Sequence, residues 1–248
     1  MQFTIEVIHS PALLPFYNIN GKTVVVIDIL RATSTLCVAF KTGVKKILPI
    51  STPEECRMFK DFDFIIAAER NAEKVKGFDL GNSPFEYENP LLEGKNIAFT
   101  TTNGTRAIKQ AKAMGAEFIV AGSFLNINFL CNWLVKQQHN IILLCAGWKD
   151  KYNLEDTLFA GAVISQIGSN YILNDDAALA AQFLYNQHKN NLEGVVRQSS
   201  HARRFTALHA NTDDVGYCMQ HNICDVLPIM EGEYMVSFKS QLTASSSS

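Results

Sequence analysis

Through residue 150 the chain alternates short apolar runs with stretches of helical spacing. Six runs read as strands: 23–29 (TVVVIDI), 45–50 (KKILPI), 63–69 (DFIIAAE), 96–101 (NIAFTT), 117–122 (EFIVAG) and 140–147 (NIILLCAG). The segments between them repeat apolar residues at the three-to-four spacing of a helix. A sheet with one wet face would alternate apolar with polar positions, whereas near-continuous apolar strands need cover on both faces. The pattern therefore predicts an α/β protein with a largely parallel sheet. Beyond residue 150, 154–222 reads as mostly helix, and strand returns in DVLPIM and EYMVSF. The stretch 70–95 breaks the rhythm: it is polar, with three Gly and two Pro within NAEKVKGFDLGNSPFEYENPLLEGK. A connection that long is expected to be functional or disordered. Either one domain over 1–240 or two lobes, about 1–150 and 151–240, is expected, with 241–248 (TASSSS at the end) as a flexible tail.

With 248 residues, 47% of them apolar, the chain can bury a sizeable core. Its net charge of −2 and the lack of a Lys/Arg block give no support to a nucleic-acid surface or a polybasic membrane patch. No apolar run approaches the roughly 20 residues of a membrane span, and MQFTIEVIHS lacks the charged and apolar regions of a leader. The six cysteines fall at irregular intervals without a C-x-x-C, as reduced structural thiols do. A cytoplasmic protein with a small-molecule partner is expected, with a homodimer left open.

In sheets of this kind ligands bind beyond the carboxyl ends of the strands, so the residues just past each strand carry the chemistry. The first strand gives Asp28 and then Arg31, the third Glu69 and Arg70, and the fourth the turn Thr101-Thr102-Asn103-Gly104-Thr105-Arg106. Glu155 and Asp156 come after the sixth. If the strands are parallel, these residues gather on one edge. A helix N-terminus offers unpaired N–H groups to an anion, so Thr102, Asn103, Gly104 and Thr105 form a candidate phosphate cradle; capping of the helix alone is the competing reading. Arg31 and Arg106 could add bidentate contacts to oxyanions. Clustered carboxylates beside an anionic ligand call for a divalent cation between them, and Mg²⁺ takes oxygen ligands of this kind. Metal-assisted phosphoryl chemistry is the expectation, on a small anionic phosphorylated substrate.

Other phosphoryl-transfer routes lack their residues. There is no G-x-x-x-x-G-K-[ST], no Cys is followed six positions later by Arg, and Leu30 stands where an aspartyl-phosphate strand would carry its second Asp. Cys218-x-x-His221-x-x-Cys224 has a zinc-like look, but one helical turn does not aim all three at one ion, and packed residues are the expected reading.

Four blocks, VVVIDILRATST (24–35), AAER with GFDLGNSP (67–70 and 77–84), TTNGTRAI (101–108) and LEDTLFAGAVI (154–164), resemble the 2-phosphosulfolactate phosphatase family, the ComB-like proteins. The resemblance implies Mg²⁺-dependent hydrolysis of 2-phospho-3-sulfolactate to 3-sulfolactate and phosphate, a step toward coenzyme M, on a three-layer α/β/α fold with a mostly parallel sheet. On it, Asp28, Arg31, Arg106 and Glu155 are expected to be catalytic, and Asp28, Glu69, Asp79 and Asp156 to hold the metal. Thr102, Asn103, Gly104, Thr105, Arg70, Asn82 and Ser83 are expected to bind substrate, and a spare carboxylate to act as general base. Family glycines are replaced near Asn71-Ala72, at Ala202 and near Ala210-Asn211, which leaves the roles of His201 and His209 open. Two alternatives stand beside this reading: a phosphatase for another small phosphorylated hydroxy acid, and a non-catalytic protein that binds a phosphorylated metabolite.

Overall fold

The computed structural model describes residues 2–208 and 213–238; His209 and the 241–248 tail lie outside them. Its strands are β1 (Phe3–Ile8), β2 (Thr23–Ile27), β3 (Lys46–Pro49), β4 (Phe64–Arg70), β5 (Glu73–Lys74), β6 (Asn96–Thr100), β7 (Phe118–Gly122), β8 (Ile141–Cys145), β9 (Tyr171–Leu173), β10 (Pro228–Glu231) and β11 (Tyr234–Ser237). The helices are α1 (Ala32–Lys41), α2 (Pro53–Met58), α3 (Gly104–Ala113), α4 (Ile127–Gln137), α5 (Leu154–Ile167), α6 (Asp176–His188), α7 (Leu192–Val196), α8 (Ser200–Leu208) and α9 (Asp214–Cys218).

All six expected strands form, and the strands join in the order β5-β4-β6-β3-β11-β10-β7-β2-β8-β1-β9. Central strands are buried on both faces, as their unbroken apolar runs require. Val25 and Ile27 pack with Leu130 of α4 and Phe159 of α5. Val24 and Val26 pack on the other face with Leu36 of α1 and Ile108 of α3. This gives the three-layer α/β/α arrangement. β9 and β5 are too short to stand out as periodic runs.

The sheet is not parallel throughout. β2, β7, β8, β1 and β9 form one parallel set, and β3, β4 and β6 another. Between them the β10–β11 hairpin pairs antiparallel with β7 on one side and with β3 on the other. Two antiparallel steps flanking a hairpin leave the two sets running in opposite directions. In a flat sheet the ends of β2 and β6 would then lie on opposite edges. Five strand-to-strand steps separate them, which at the usual rotation turn the sheet by roughly 100–125°. The helix after β6 is therefore carried back over the end of β2, and the gathering of polar residues comes from twist rather than from uniform strand direction.

The polar stretch after β4 is ordered by packing on α1. It takes short 3₁₀ turns at Pro84–Tyr87 and Pro90–Leu92. Tyr87, fully buried, donates to Gly81 O at 3.0 Å, and Thr35 Oγ1 donates to Asn82 O at 2.9 Å.

Candidate active site

A small pocket opens where the N-termini of α1 and α3 meet, lined by Asp28, Arg31, Glu69, Asn82, Thr102 and His201 among others. Its form is set by a close approach: a Cβ on Gly104 would lie 2.7 Å from Ala32 Cβ and 3.0 Å from Asp28 Oδ2. Only glycine lets the first turn of α3 sit against the first turn of α1 and the Asp28 carboxylate. The N-cap residues Arg31 and Asn103 of α1 and α3 contribute no side-chain cap bond and line the pocket themselves.

Asp28 is buried, and its Oδ1 accepts the Ala32 N–H at 3.3 Å. Burial pushes its carboxyl up to about 6, against the pull of His201 and the Ala32 N–H, and Glu69 and Glu155 add repulsion. Glu69 Oε1 accepts Ala72 N–H at 2.6 Å, and its Oε2 accepts Thr102 N–H at 3.3 Å. The turn that allows this places Asn71 and Ala72 at φ of +54° and +73°, the left-handed region that suits glycine. Ala72 O in turn accepts from Arg31 Nη2 at 2.9 Å. Arg31 also forms a buried ion pair with Asp214, whose Oδ1 accepts from Ser83 Oγ at 2.6 Å. The Leu30–Arg31 peptide is cis.

Glu155 is fully buried behind His201: its Oε1 bonds Nδ1 at 2.6 Å, and its Oε2 has no hydrogen-bond partner among the described residues. Asn82 Oδ1, on the pocket wall, is likewise buried without one. Asp156 is placed differently. Its oxygens accept Ile29 N–H at 3.0 Å and Gly147 N–H at 3.2 Å, and burial raises its carboxyl well above the usual range, with Glu155 and Asp28 adding to the effect. It ties the end of β2 to the end of β8. Gly147, at φ +62°, could not carry a side chain, because a Cβ would meet Lys151 O at 2.4 Å. It opens the 148–151 turn that hangs Trp148 over the pocket, where Arg204 stacks on the indole at 3.8 Å.

Several expected site residues lie elsewhere. Asp79 does not join the carboxylates: its Oδ2 accepts Ile66 N–H at 3.0 Å, mid-strand on β4, and Lys60 lies 3.6 Å from its Oδ1. Although it follows the third strand in the sequence, GFDL folds back along β4 instead of continuing past its end. Asp156, expected to hold the metal, spans the Ile29 and Gly147 N–H groups and is not part of the pocket lining. The cradle at Thr102–Thr105 is partly filled by the protein itself, since Thr102 N–H goes to Glu69 and Thr105 N–H to Thr101 Oγ1 at 3.3 Å. Arg70 and Arg106 face a second, larger recess of about 320 Å³, lined also by Ser51, Lys109 and Gln110, which shares Thr102 with the acid pocket. Of the zinc-like trio, Cys218 and Cys224 are buried and His221 bonds Met219 O at 3.0 Å.

A profile of the family described as 2-phosphosulpholactate phosphatase matches residues 8–233. The chain belongs to this family. It is 39% identical over 216 residues to a "Probable 2-phosphosulfolactate phosphatase" of Caldanaerobacter subterraneus subsp. tengcongensis, covering 85% of this chain and 88% of that protein. A protein of the same name from Thermotoga petrophila is 38% identical over 218 residues, 88% of this chain and 93% of that one. The one from Synechocystis sp. is 34% identical over 232 residues, 90% and 95%.

Within this phosphatase fold the four resembling blocks supply Asp28 and Arg31, Glu69 with Asn82 and Ser83, Thr102 to Gly104, and Glu155. Outside those blocks lie the pocket residues Trp148 and His201, and Asp214, which holds Arg31. The sequence leaves the role of His201 open. Asp214 is a buried acid in a five-residue helix, and the one trace of it is a charge preceding the apolar Val215 and Tyr217. Among the described residues no three His, Cys, Asp or Glu side chains stand grouped as ready metal ligands.

Proposed function

We propose that the protein hydrolyses the phosphate ester of 2-phosphosulfolactate, yielding 3-sulfolactate and inorganic phosphate, and that it uses Mg²⁺. The observation that carries this reading is the gathering of the buried acids Asp28 and Glu69 with Arg31 and with His201, itself backed by the buried Glu155, at converging helix N-termini. The donor set fits a hard divalent cation: it is all oxygen, it carries excess negative charge, and Glu155 Oε2 is buried with no hydrogen-bond partner among the described residues. Asp28 and Glu69, with Glu155, would hold Mg²⁺, which when bound would polarise the phosphoryl group.

The chain's own residues do the rest. Arg31, fixed by Asp214 and Ala72 O, offers a guanidinium that stabilises charge on the phosphoryl oxygens. His201 Nδ1 donates to Glu155 Oε1 at 2.6 Å, which fixes the ring with Nε2 as the nitrogen that exchanges a proton with the substrate. The leaving group is a secondary alkoxide, a strong base, and a proton from His201 Nε2 lets it depart as the hydroxyl of 3-sulfolactate. Asn82 and Trp148 bound the pocket and restrict water. A purely binding protein would have no use for this set, since buried carboxylates repel an anionic ligand.

Phosphate release from 2-phosphosulfolactate and other phosphorylated hydroxy acids, with Mg²⁺ and after EDTA, tests the proposal. Release from 2-phosphosulfolactate that needs Mg²⁺ is expected. Undiminished release in EDTA removes the metal role, and faster release from another hydroxy acid reassigns the substrate.

A further inference from the structure

The recess on the far side of Thr102 differs in character from the acid pocket. Arg70, Arg106 and Lys109 line it together with Ser51, Thr105 and Gln110, with no carboxylate in its wall. The three cations come from two elements. Arg70 ends β4 and is pinned by Glu69 O at 2.6 Å, Thr100 Oγ1 at 2.9 Å and Ser51 O at 3.1 Å. Arg106 and Lys109 lie three residues apart on α3 and so share a face. Lys109 Nζ donates to Ser51 Oγ at 2.7 Å, and Arg106 pairs with Asp150 at 2.8 Å. The recess is thus a cationic hollow that adjoins the acid pocket through Thr102.

We propose that this recess is the subsite for the sulfonate of the substrate, with Lys109 and Arg106 as its specificity-determining residues, a reading that rests on the phosphatase activity above. The substrate carries three anionic groups on three carbons. With the phosphoryl group among Asp28, Glu69 and Arg31, the remaining two cannot share a pocket walled by carboxylates. The sulfonate is the better occupant of the recess than the carboxylate on two counts. It sits one bond farther from the phosphate-bearing carbon, which gives it the longer reach toward the recess beyond Thr102. It also presents three oxygens in a tetrahedral array, matched by three separate cationic side chains, where a planar carboxylate presents two.

The test compares kcat/KM for 2-phosphosulfolactate with that for 2-phospholactate, which has hydrogen in place of the sulfonate, in the full-length wild type, Lys109→Ala, Lys109→Arg and Arg106→Ala. Loss of one charge-assisted contact should lower the ratio of the two constants about 10- to 100-fold in Lys109→Ala and Arg106→Ala, and Lys109→Arg should restore most of it. An unchanged ratio in both alanine variants overturns the subsite, as does an equal loss on both substrates. Calorimetric binding of 3-sulfolactate to the same proteins separates this from the activity: weakening by a similar factor in Lys109→Ala is expected, and equal affinity overturns the subsite. Lys109-dependent binding of 3-sulfolactate without phosphate release from either ester would keep the subsite and remove the phosphatase reading.

Discussion

The acid pocket and the basic recess share Thr102 but solve opposite electrostatic problems. In the pocket Asp28 and Glu69 are each 7% exposed and Glu155 is fully buried, so like charges meet where water screens them poorly. In the recess Arg106 and its partner Asp150 have side chains 43% and 46% exposed, and solvent screens them. The pocket stores unfavourable charge that a cation and a phosphoryl group can relieve; the recess holds charge at little cost and can exchange one anion for another. Fixed, desolvated groups suit the reacting end of a substrate, and solvated, adaptable cations suit the end that is only gripped.

The largest effect should come from Asp28→Asn, which acts with opposite sign on catalysis and on stability. Turnover should fall at least about 10²-fold, the usual worth of one preorganised polar group at a reacting centre, measured as steady-state phosphate release. In EDTA the same variant should be the more stable protein at pH 8. The Asp28 carboxyl is lifted from 3.8 to about 6, so between those values the folded wild type holds a proton that the unfolded chain has lost. Wild-type stability therefore falls as pH rises through that window, by on the order of 2–3 kcal/mol at about 1.4 kcal/mol per pH unit. Denaturant melts at pH 4 and pH 8 should show no advantage for the variant at the lower pH. A variant less stable than wild type at pH 8 would show that the acid pocket is not charge-strained.

Next in size is Gly104→Ala, which strikes the seam between α1 and α3. Its methyl would meet Ala32 Cβ and Asp28 Oδ2 inside contact distance, so α3 must move. A loss of about 1–3 kcal/mol in a denaturant melt is expected, with kcat lowered as well. Unchanged stability and rate would mean that the two helices have room to part. The smallest effect belongs to the recess: Asp150→Asn should change stability by less than about 1 kcal/mol, as exposed pairs do. The same variant should lower KM for the substrate, because Arg106 loses a competing carboxylate. A raised KM would count against an anion in the recess.

Much of the pocket is legible in the sequence because strand ends are legible. Asp28, Glu69, Thr102 and Glu155 each come after an apolar run or open the helix beyond one, and local pattern is enough to place them. Asp79 shows the limit: GFDL looks like the continuation of a strand end, and the chain instead turns back beside β4. Asp156 sits one residue from Glu155 and reads as its equal, yet a single residue's rotation about the helix aims it at the backbone of Ile29 and Gly147 rather than at His201. Arg106 reads as part of the same cradle as Gly104, but two residues along a helix rotate a side chain to another face.

The order of amino acids alone dictates the elements and their chemistry: doubly buried strands, helices opened by Gly104 and by Glu155-Asp156, acids and arginines at their junctions. Period, residue type and near neighbours in the chain are enough for these. Which of them meet is a matter of long-range packing. The β10–β11 hairpin, from the far end of the chain, separates two oppositely running strand sets, and sheet twist brings their ends together. The same packing carries His201 to Glu155 and Asp214 to Arg31 across 46 and 183 residues of chain, separations over which no local pattern acts. It also divides the polar edge at Thr102 into a buried acid pocket and an open basic recess, because the side of a helix that faces its neighbour is chosen by the neighbour's shape as much as by the helix's own residues.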